Sequence, residues 1–70
     1  MMYRASFKEF ATLPNEIDSV NYASTIAHWA IVNQPSLANT AFIFEEMTDQ
    51  LDIFFRDAKG RRRRLAVYMA

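Results

Sequence analysis

The sequence predicts an α+β fold: a single small domain with a β-α-β-β-β antiparallel sheet and one helix packed on one face. Three observations support this prediction. A hairpin pattern spans residues 51–70, apolar side chains repeat at helical spacing up to Asn33, and β-branched and aromatic residues fill a short stretch between them. With 70 residues, of which 51% are hydrophobic, we expect one domain over residues 1–70 with a small core.

The first predicted element is a strand over residues 3–10. Tyr3, Ala5 and Phe7 alternate with polar side chains, which is typical of a strand that buries one face. Phe7 and Phe10 also fit one turn of helix. Both patterns end at the Thr-Leu-Pro-Asn segment that follows. A helical turn cannot continue through it, because a residue that precedes proline avoids the helical conformation.

A helix is predicted from Asn15 or Asp18 to Asn33, where the sequence Gln-Pro-Ser ends it. Either of the first two residues can cap the N-terminus through its side-chain oxygen. The expected buried stripe repeats every three or four residues and consists of Ile17, Val20, Ala23, Ala27, Ala30 and Ile31, widened by Tyr22, Ile26 and Trp29. Trp29 is therefore expected in the core.

Residues 40–46 are predicted to form the second strand, because β-branched and aromatic side chains favour strands. Phe42 and Phe44 are then expected to face the core, and Ile43 the opposite side. A helix over residues 36–51 is the alternative, since the apolar residues of that stretch share one helical face.

The last two strands are predicted to form a hairpin around residues 57–60. Asp57 and Gly60 suit a type I turn followed by a residue in the left-handed region, which gives a three-residue loop with a bulge. In the register that this turn fixes, the directly opposed pairs are Asp57 and Arg61, Phe55 and Arg63, Ile53 and Leu65, and Leu51 and Val67. That register places the four aliphatic residues of these pairs on one face.

The hairpin carries four consecutive arginines, Arg61 to Arg64, into its last strand. Because successive side chains of a strand point to opposite faces, Arg61 and Arg63 are predicted to face the helix, and Arg62 and Arg64 the opposite, outer side. Arg64 is expected to stack on Phe54. The candidate partner-binding residues on this outer side are Ile43, Phe54, Arg56, Arg62, Arg64 and Tyr68, with Ala66 beside them.

The formal net charge is zero, but its distribution is uneven. Residues 1–55 hold two basic and seven acidic side chains, for a net charge of −5, whereas residues 56–70 hold six basic and one acidic, for +5. Such an asymmetry indicates a directed electrostatic surface. The alternative is that the two parts neutralise each other in the fold or in a dimer.

Residues that perform chemistry are sparse. One histidine, one glycine and no cysteine exclude a thiolate zinc site and a glycine-rich phosphate loop. Ser24 and His28 are one helical turn apart, but the sequence indicates no acid to orient them for catalysis. Four carboxylates cluster around a predicted turn, where a solvated turn is a better interpretation than a cation site; they are Glu45, Glu46, Asp49 and Asp52. We therefore expect no enzyme, no cofactor and no metal.

The outer side of the predicted sheet favours a non-enzymatic protein-binding module, since arginines beside apolar groups are typical of binding hot spots. Single domains of this size without catalytic residues are often accessory or inhibitor proteins of phages and other mobile elements. The expected role is to occlude a host protein or defence complex in the cytoplasm, and that partner can be a nucleoprotein complex. A small nucleic-acid-binding protein that uses the same arginines is the alternative. The same surface can instead pair two copies into a homodimer, and no apolar run is long enough for a membrane span.

Overall fold

The computed structural model describes all 70 residues, Met1–Ala70, as one helix packed on one face of a five-stranded antiparallel sheet. The strands are β1 (Met2–Lys8), β2 (Glu16–Asp18), β3 (Phe42–Glu46), β4 (Gln50–Arg56) and β5 (Arg62–Met69), and the helix is α1 (Tyr22–Asn33), followed by a 3-10 turn at Pro35–Leu37. The strands lie in the order β2-β1-β5-β4-β3. The predicted α+β fold is confirmed, with one strand more than expected. We call the side of the sheet that faces α1 the inner face and the other side the outer face.

The core lies between α1 and the inner face. Leu51 and Ile53 of the sheet and Ile26 of the helix are fully buried. Trp29 is also buried, which confirms its predicted place in the core. Its indole N–H donates a hydrogen bond to Thr12 Oγ1 at 2.9 Å, so burial of the ring leaves its polar atom satisfied.

α1 begins at Tyr22, later than predicted, because the residues before it form the short strand β2. Ile17 of β2 lies opposite Tyr3 of β1, and both side chains are buried. The Asp18 carboxylate accepts a backbone N–H two residues later at 2.8 Å, and this local bond turns the chain between strand and helix. The predicted helix start at Asn15 or Asp18 is wrong, since Ile17 is buried by strand pairing and not by helical periodicity.

The helix buries a narrower stripe than predicted. Its buried residues are Ile26, Trp29 and Ala30. Other members of the predicted stripe are exposed: Val20, Ala23, Ala27 and Ile31. Because α1 has apolar side chains on both sides and no charged one, its sequence does not indicate which side faces the sheet. At 12 residues α1 is too short to cross a membrane, and no other helix is long and apolar enough.

The strand β3 confirms the predicted strand over this stretch and excludes the alternative helix. Phe42 and Phe44 pack against the core, as predicted, and Ile43 lies on the outer face. The rings of Tyr22 and Phe44 are 5.1 Å apart, centroid to centroid. This contact ties the first turn of the helix to the edge of the sheet.

A β-bulge in β5 separates two registers in the hairpin of β4 and β5. Beside the turn, Phe55 lies opposite Arg63, as predicted. Beyond Phe54 the pairing shifts by one residue, and Leu65 is the extra residue of β5. The alternation of inner and outer side chains is therefore displaced by one position along the rest of the strand.

The shift corrects two of the predicted pairs. The observed pairs are Ile53 with Ala66 and Leu51 with Tyr68, in place of the predicted Leu65 and Val67. Leu65 and Ala66 are both fully buried, because two residues of a bulged strand oppose a single residue of its partner. Tyr68 is fully buried as well, and its hydroxyl donates a hydrogen bond to the Pro14 carbonyl at 2.7 Å.

A second irregularity lies in β1, beside the bulge of β5. The pairing of β1 with β5 shifts between Ala5 and Phe7, and the Ser6 hydroxyl donates to the Val67 carbonyl at 3.2 Å. Phe7 consequently turns to the outer face, where its side chain is 41% exposed. The predicted common face of Tyr3, Ala5 and Phe7 is correct for the first two residues and wrong for the third.

The bulge predicts different costs for truncating two neighbouring residues. Tyr68→Ala removes a fully buried ring and its hydrogen bond, so we expect it to lower the free energy of unfolding by about 3–5 kcal/mol. Val67→Ala, on the outer face, should cost less than about 1 kcal/mol. Urea denaturation followed by tryptophan fluorescence measures both variants. A larger loss for Val67→Ala than for Tyr68→Ala would contradict the bulged register.

All three tyrosines of the chain should ionise late in the folded protein. Burial raises the pKa of Tyr68 from 10.0 to about 12, and burial followed by the nearby Glu46 carboxylate raises the pKa of Tyr3 and of Tyr22. Because the fold favours the neutral phenols, their contribution to stability is complete below about pH 10 and is lost as the pH rises through their raised pKa values, which for Tyr68 is about 12. Tyrosinate absorbance of the native protein should therefore lag behind that of urea-unfolded protein in an alkaline titration. Coincident titration curves would contradict this expectation.

Candidate partner-binding surface

The turn between β4 and β5 holds the basic end of the molecule in one conformation. The Asp57 carboxylate accepts the backbone N–H groups of Lys59 at 2.9 Å and Arg61 at 2.8 Å. The Asp57 N–H donates to the Arg61 carbonyl at 2.9 Å, and Gly60 adopts a positive φ of 76°. These contacts confirm the predicted three-residue loop and its glycine in the left-handed region. Asp57, the one acidic residue of this region, is thus engaged by backbone groups.

Six basic side chains surround this turn, and we call them the arginine tip. They are Arg56, Lys59, Arg61, Arg62, Arg63 and Arg64, and all are exposed. The protein has two ion pairs, Arg62 with Glu45 and Arg4 with Glu16. Five of the six cations of the arginine tip therefore have no carboxylate partner within the chain. One of them, Arg56, donates to the Gly60 carbonyl at 3.0 Å.

Phe54 holds two of the arginines against the outer face. The guanidinium carbon of Arg62 lies 3.9 Å from the centroid of the Phe54 ring, and that of Arg64 lies 5.2 Å from it. Arg62 also donates to the Glu45 carboxylate, so its side chain spans β4 from β5 to β3. Phe54 is only 8% exposed, because the two guanidinium groups cover its ring. The predicted stacking of Arg64 on Phe54 is confirmed, and Arg62 lies closer still.

Most of the predicted surface residues share the outer face, namely Ile43, Phe54, Arg56, Arg62 and Arg64. The predicted placement of Tyr68 and Ala66 on that face is wrong, because the bulge reverses the alternation after Arg64. Val67 lies there instead, opposite Phe7 of β1. The sequence-based prediction omits Val67 and Phe7 because each follows an irregularity in its strand. The alternation of apolar and polar residues along the sequence does not indicate either irregularity.

The opposite end of the sheet is acidic. The turn between β3 and β4 lies about 20 Å from the arginine tip, at the other end of β4. Glu46 accepts hydrogen bonds there from the hydroxyls of Tyr3 at 3.3 Å and Tyr22 at 3.1 Å. Asp52 is bonded to a glutamine of its own strand, and Asp49 lies in the turn. Three of the four carboxylates of the predicted acidic cluster, those of Glu45, Glu46 and Asp52, thus have separate partners, and no three of the four converge on one point.

The serine and histidine of the helix form no hydrogen bond with each other. The Ser24 hydroxyl donates to the Asn21 carbonyl at 3.0 Å, and His28 is exposed. One shallow groove is present in the protein, and it is lined by Arg4, Ala5, Asn15 and Glu16. The Arg4 and Glu16 side chains that line it are paired with each other.

No protein-family model, characterised protein or solved structure matches the chain. A function must therefore be inferred from the surface itself. Its distinguishing features are the unpaired cations of the arginine tip and the neighbouring outer face, where the apolar side chains of Ile43, Val67 and Phe7 reach the surface.

The turn predicts a backbone effect at Gly60. Gly60→Ala should lower the free energy of unfolding by about 1 kcal/mol, because a side chain disfavours the positive φ while no atom lies within 4 Å of the added Cβ. Gly60→Asn should cost less, since asparagine tolerates the left-handed region better than alanine. Lys59→Ala is the control at a position with negative φ. Equal stability of the alanine and asparagine variants in urea denaturation would contradict this account of the turn.

Proposed function

We propose that the protein is a small non-enzymatic protein-binding module that uses the arginine tip and the adjoining outer face to occlude an acidic surface of a partner protein. The observation that carries this proposal is the excess of cations at the tip. Five of its six basic side chains lack an intrachain carboxylate, although the chain has as many acidic as basic residues. An acidic partner surface supplies the counter-charges that the fold does not.

The coverage of the Phe54 ring by arginine side chains supports a protein partner over a nucleic acid. Proteins that bind single-stranded nucleic acids on a sheet present open aromatic rings on which bases stack. The ring of Phe54 is covered by Arg62 and Arg64, and Tyr68 is buried in the core. The acidic end and the net charge of zero also oppose the approach of a long polyanion.

The composition of the outer face suits a protein interface. Arg64 stacks on Phe54 without a carboxylate partner, so its guanidinium can bind a carboxylate of the partner in a bidentate manner. Val67 and the exposed Phe7 lie further along the same face and supply apolar area. Arginine and aromatic residues together contribute most of the binding energy in many interfaces.

The biological setting that we propose is that of an accessory or inhibitor protein of a phage or another mobile element. Its partner would be a cytoplasmic host protein, such as a defence complex or another nucleoprotein complex, whose acidic surface the arginine tip covers. The small size of the domain and the scarcity of chemically reactive side chains support this setting by analogy with such proteins. Occlusion requires contact area and charge, and the outer face with the tip supplies both.

Alanine substitutions at two arginines of the outer face provide a test of the proposed interface and its matched control. Arg64 lies at the basic end and lacks an ion pair, whereas Arg4 lies at the other end and is paired with Glu16. We expect Arg64→Ala to weaken retention of the partner in affinity capture from the source cell about 30-fold, and Arg4→Ala to leave it unchanged. Raised salt should weaken the wild-type interaction as well.

A mobility-shift assay with RNA and DNA at physiological salt separates the two classes of partner. The proposal predicts no shift by the wild type. A shift that Arg64→Ala abolishes and Arg4→Ala retains would contradict the protein-partner proposal and establish the nucleic-acid alternative. If both variants captured the partner equally well, the arginine tip would not be part of the interface, and the proposal would be contradicted.

A further inference from the structure

The strand β3 leaves one edge of the sheet unpaired. It is the last strand in the sheet order, so β4 is its only strand neighbour. The Met47 N–H donates to the Gln50 carbonyl at 2.7 Å where the two strands meet, and hydrogen bonding to β4 then continues at every second residue, through Glu45 and Ile43. The remaining residues direct their backbone N–H and C=O groups to the free edge; they are Phe42, Phe44 and Glu46.

The two edges of the sheet differ in how they are protected. The other edge strand, β2, has three residues, and its Glu16 is paired with Arg4. Short strands and charges are the usual protection against pairing with another chain. β3 has five residues without proline, glycine or a bulge, and its three apolar side chains are only half-buried. Its two glutamates are already engaged by Arg62 and by two tyrosine hydroxyls.

We infer that the free edge of β3 pairs with β3 of a second copy of this chain, antiparallel, about a two-fold axis at Phe44. A two-fold axis perpendicular to the sheet keeps inner side chains opposite inner ones. Since the free-edge groups belong to three alternate residues centred on Phe44, that residue lies opposite its own copy, and Phe42 lies opposite Glu46. Three such pairs form about six intermolecular hydrogen bonds and join two sheets of five strands into one of ten.

The charge distribution selects this antiparallel arrangement. β3 runs from the basic end of the molecule, where Phe42 lies opposite Phe55, to the acidic end at Glu46. Antiparallel pairing therefore sets the basic end of each copy beside the acidic end of the other, whereas parallel pairing sets like charges together. Arg62 extends across β4 to Glu45 on β3, so its charge reaches the interface. The Glu45 residues of the two copies lie about 8 Å apart, within range of both guanidinium groups.

A second copy fits β3 better than it fits the two other exposed apolar surfaces. On the outer face, Arg62 and Arg64 cover Phe54 and would face the same charges of the second copy. The exposed side of α1, with Ile31 62% and Val32 62% exposed, has neither charges nor free backbone groups to fix an orientation.

Proline substitution at a residue whose N–H points to the free edge of β3 tests that edge without removing a hydrogen bond to β4. Phe44→Pro removes an N–H that points to the free edge, and Phe44→Ala, which removes only the ring, is its matched control. We expect the wild type to sediment as a dimer of 8.2 kDa chains. Phe44→Pro should raise the dimer Kd about 10-fold or more relative to Phe44→Ala, since each dimer loses two hydrogen bonds. A wild type that is monomeric at every concentration, or equal Kd values for the two variants, would overturn the inference.

Two further variants test the alternative contact surfaces. Ile31→Lys introduces a charge on the exposed side of α1, and Phe54→Asp removes the ring beneath the arginines. The proposed pairing predicts that Ile31→Lys leaves the dimer Kd unchanged and that Phe54→Asp raises it less than Phe44→Pro does. A dimer that either variant abolishes while Phe44→Pro retains it would place the contact elsewhere and overturn the inference.

Amide hydrogen exchange tests the same pairing in the unmodified protein. The Ile43 amide should be protected at all concentrations, because it is bonded to β4. The exchange rate of the Phe44 amide should fall about 10-fold or more as the dimer forms, because the amide gains a hydrogen-bond acceptor in the second copy. A Phe44 amide whose exchange is independent of concentration, in samples that sediment as dimers, would overturn the pairing even if the proline variant failed to fold.

Discussion

The β-bulge at Leu65 determines how the rest of the molecule is arranged, because it joins two registers that serve different purposes. On the turn side of the bulge, the strand pairing directs Arg62 and Arg64 to the outer face and over Phe54. On the other side, it directs Tyr68 into the core. Without the shift, Tyr68 would be on the outer face and the smaller Val67 would occupy its place. Full burial of one large side chain stabilises a fold by roughly 1.5–3 kcal/mol, which is a substantial part of the stability of so small a domain.

The sequence predicts those parts of the fold that depend on local chemistry. The turn follows from the carboxylate of Asp57 and the freedom of Gly60, and the positions of Arg62 and Arg64 follow from their distance to that turn. Parts that depend on pairing between distant segments are not predictable in this way. Ile17 is buried because β1 lies beside it, and no residue near the bulge indicates that the register shifts.

The candidate surface was predictable to the same extent and for the same reason. Its arginines lie close to the turn, within the part of the hairpin whose register the turn sets. The prediction is wrong for Tyr68 and omits Phe7 and Val67, because all three lie beyond an irregularity in their strands. The helix shows a related ambiguity, since its uncharged sequence allows Ile26 or Ile31 to face the sheet with similar hydrophobic gain.

Separation of charge along the sheet connects the proposed function with the proposed self-association. A chain of zero net charge has no overall attraction to acidic or basic partners, yet its two ends differ in sign over a distance larger than the screening length at physiological salt, which is about 8 Å.

The bulged register of β4 and β5, on which the core and the outer face both depend, is tested most directly by cross-strand nuclear Overhauser effects between backbone protons of the two strands. The bulged register predicts contacts between Leu51 and Tyr68 and between Ile53 and Ala66. Contacts of Leu51 with Val67 and of Ile53 with Leu65 would contradict it.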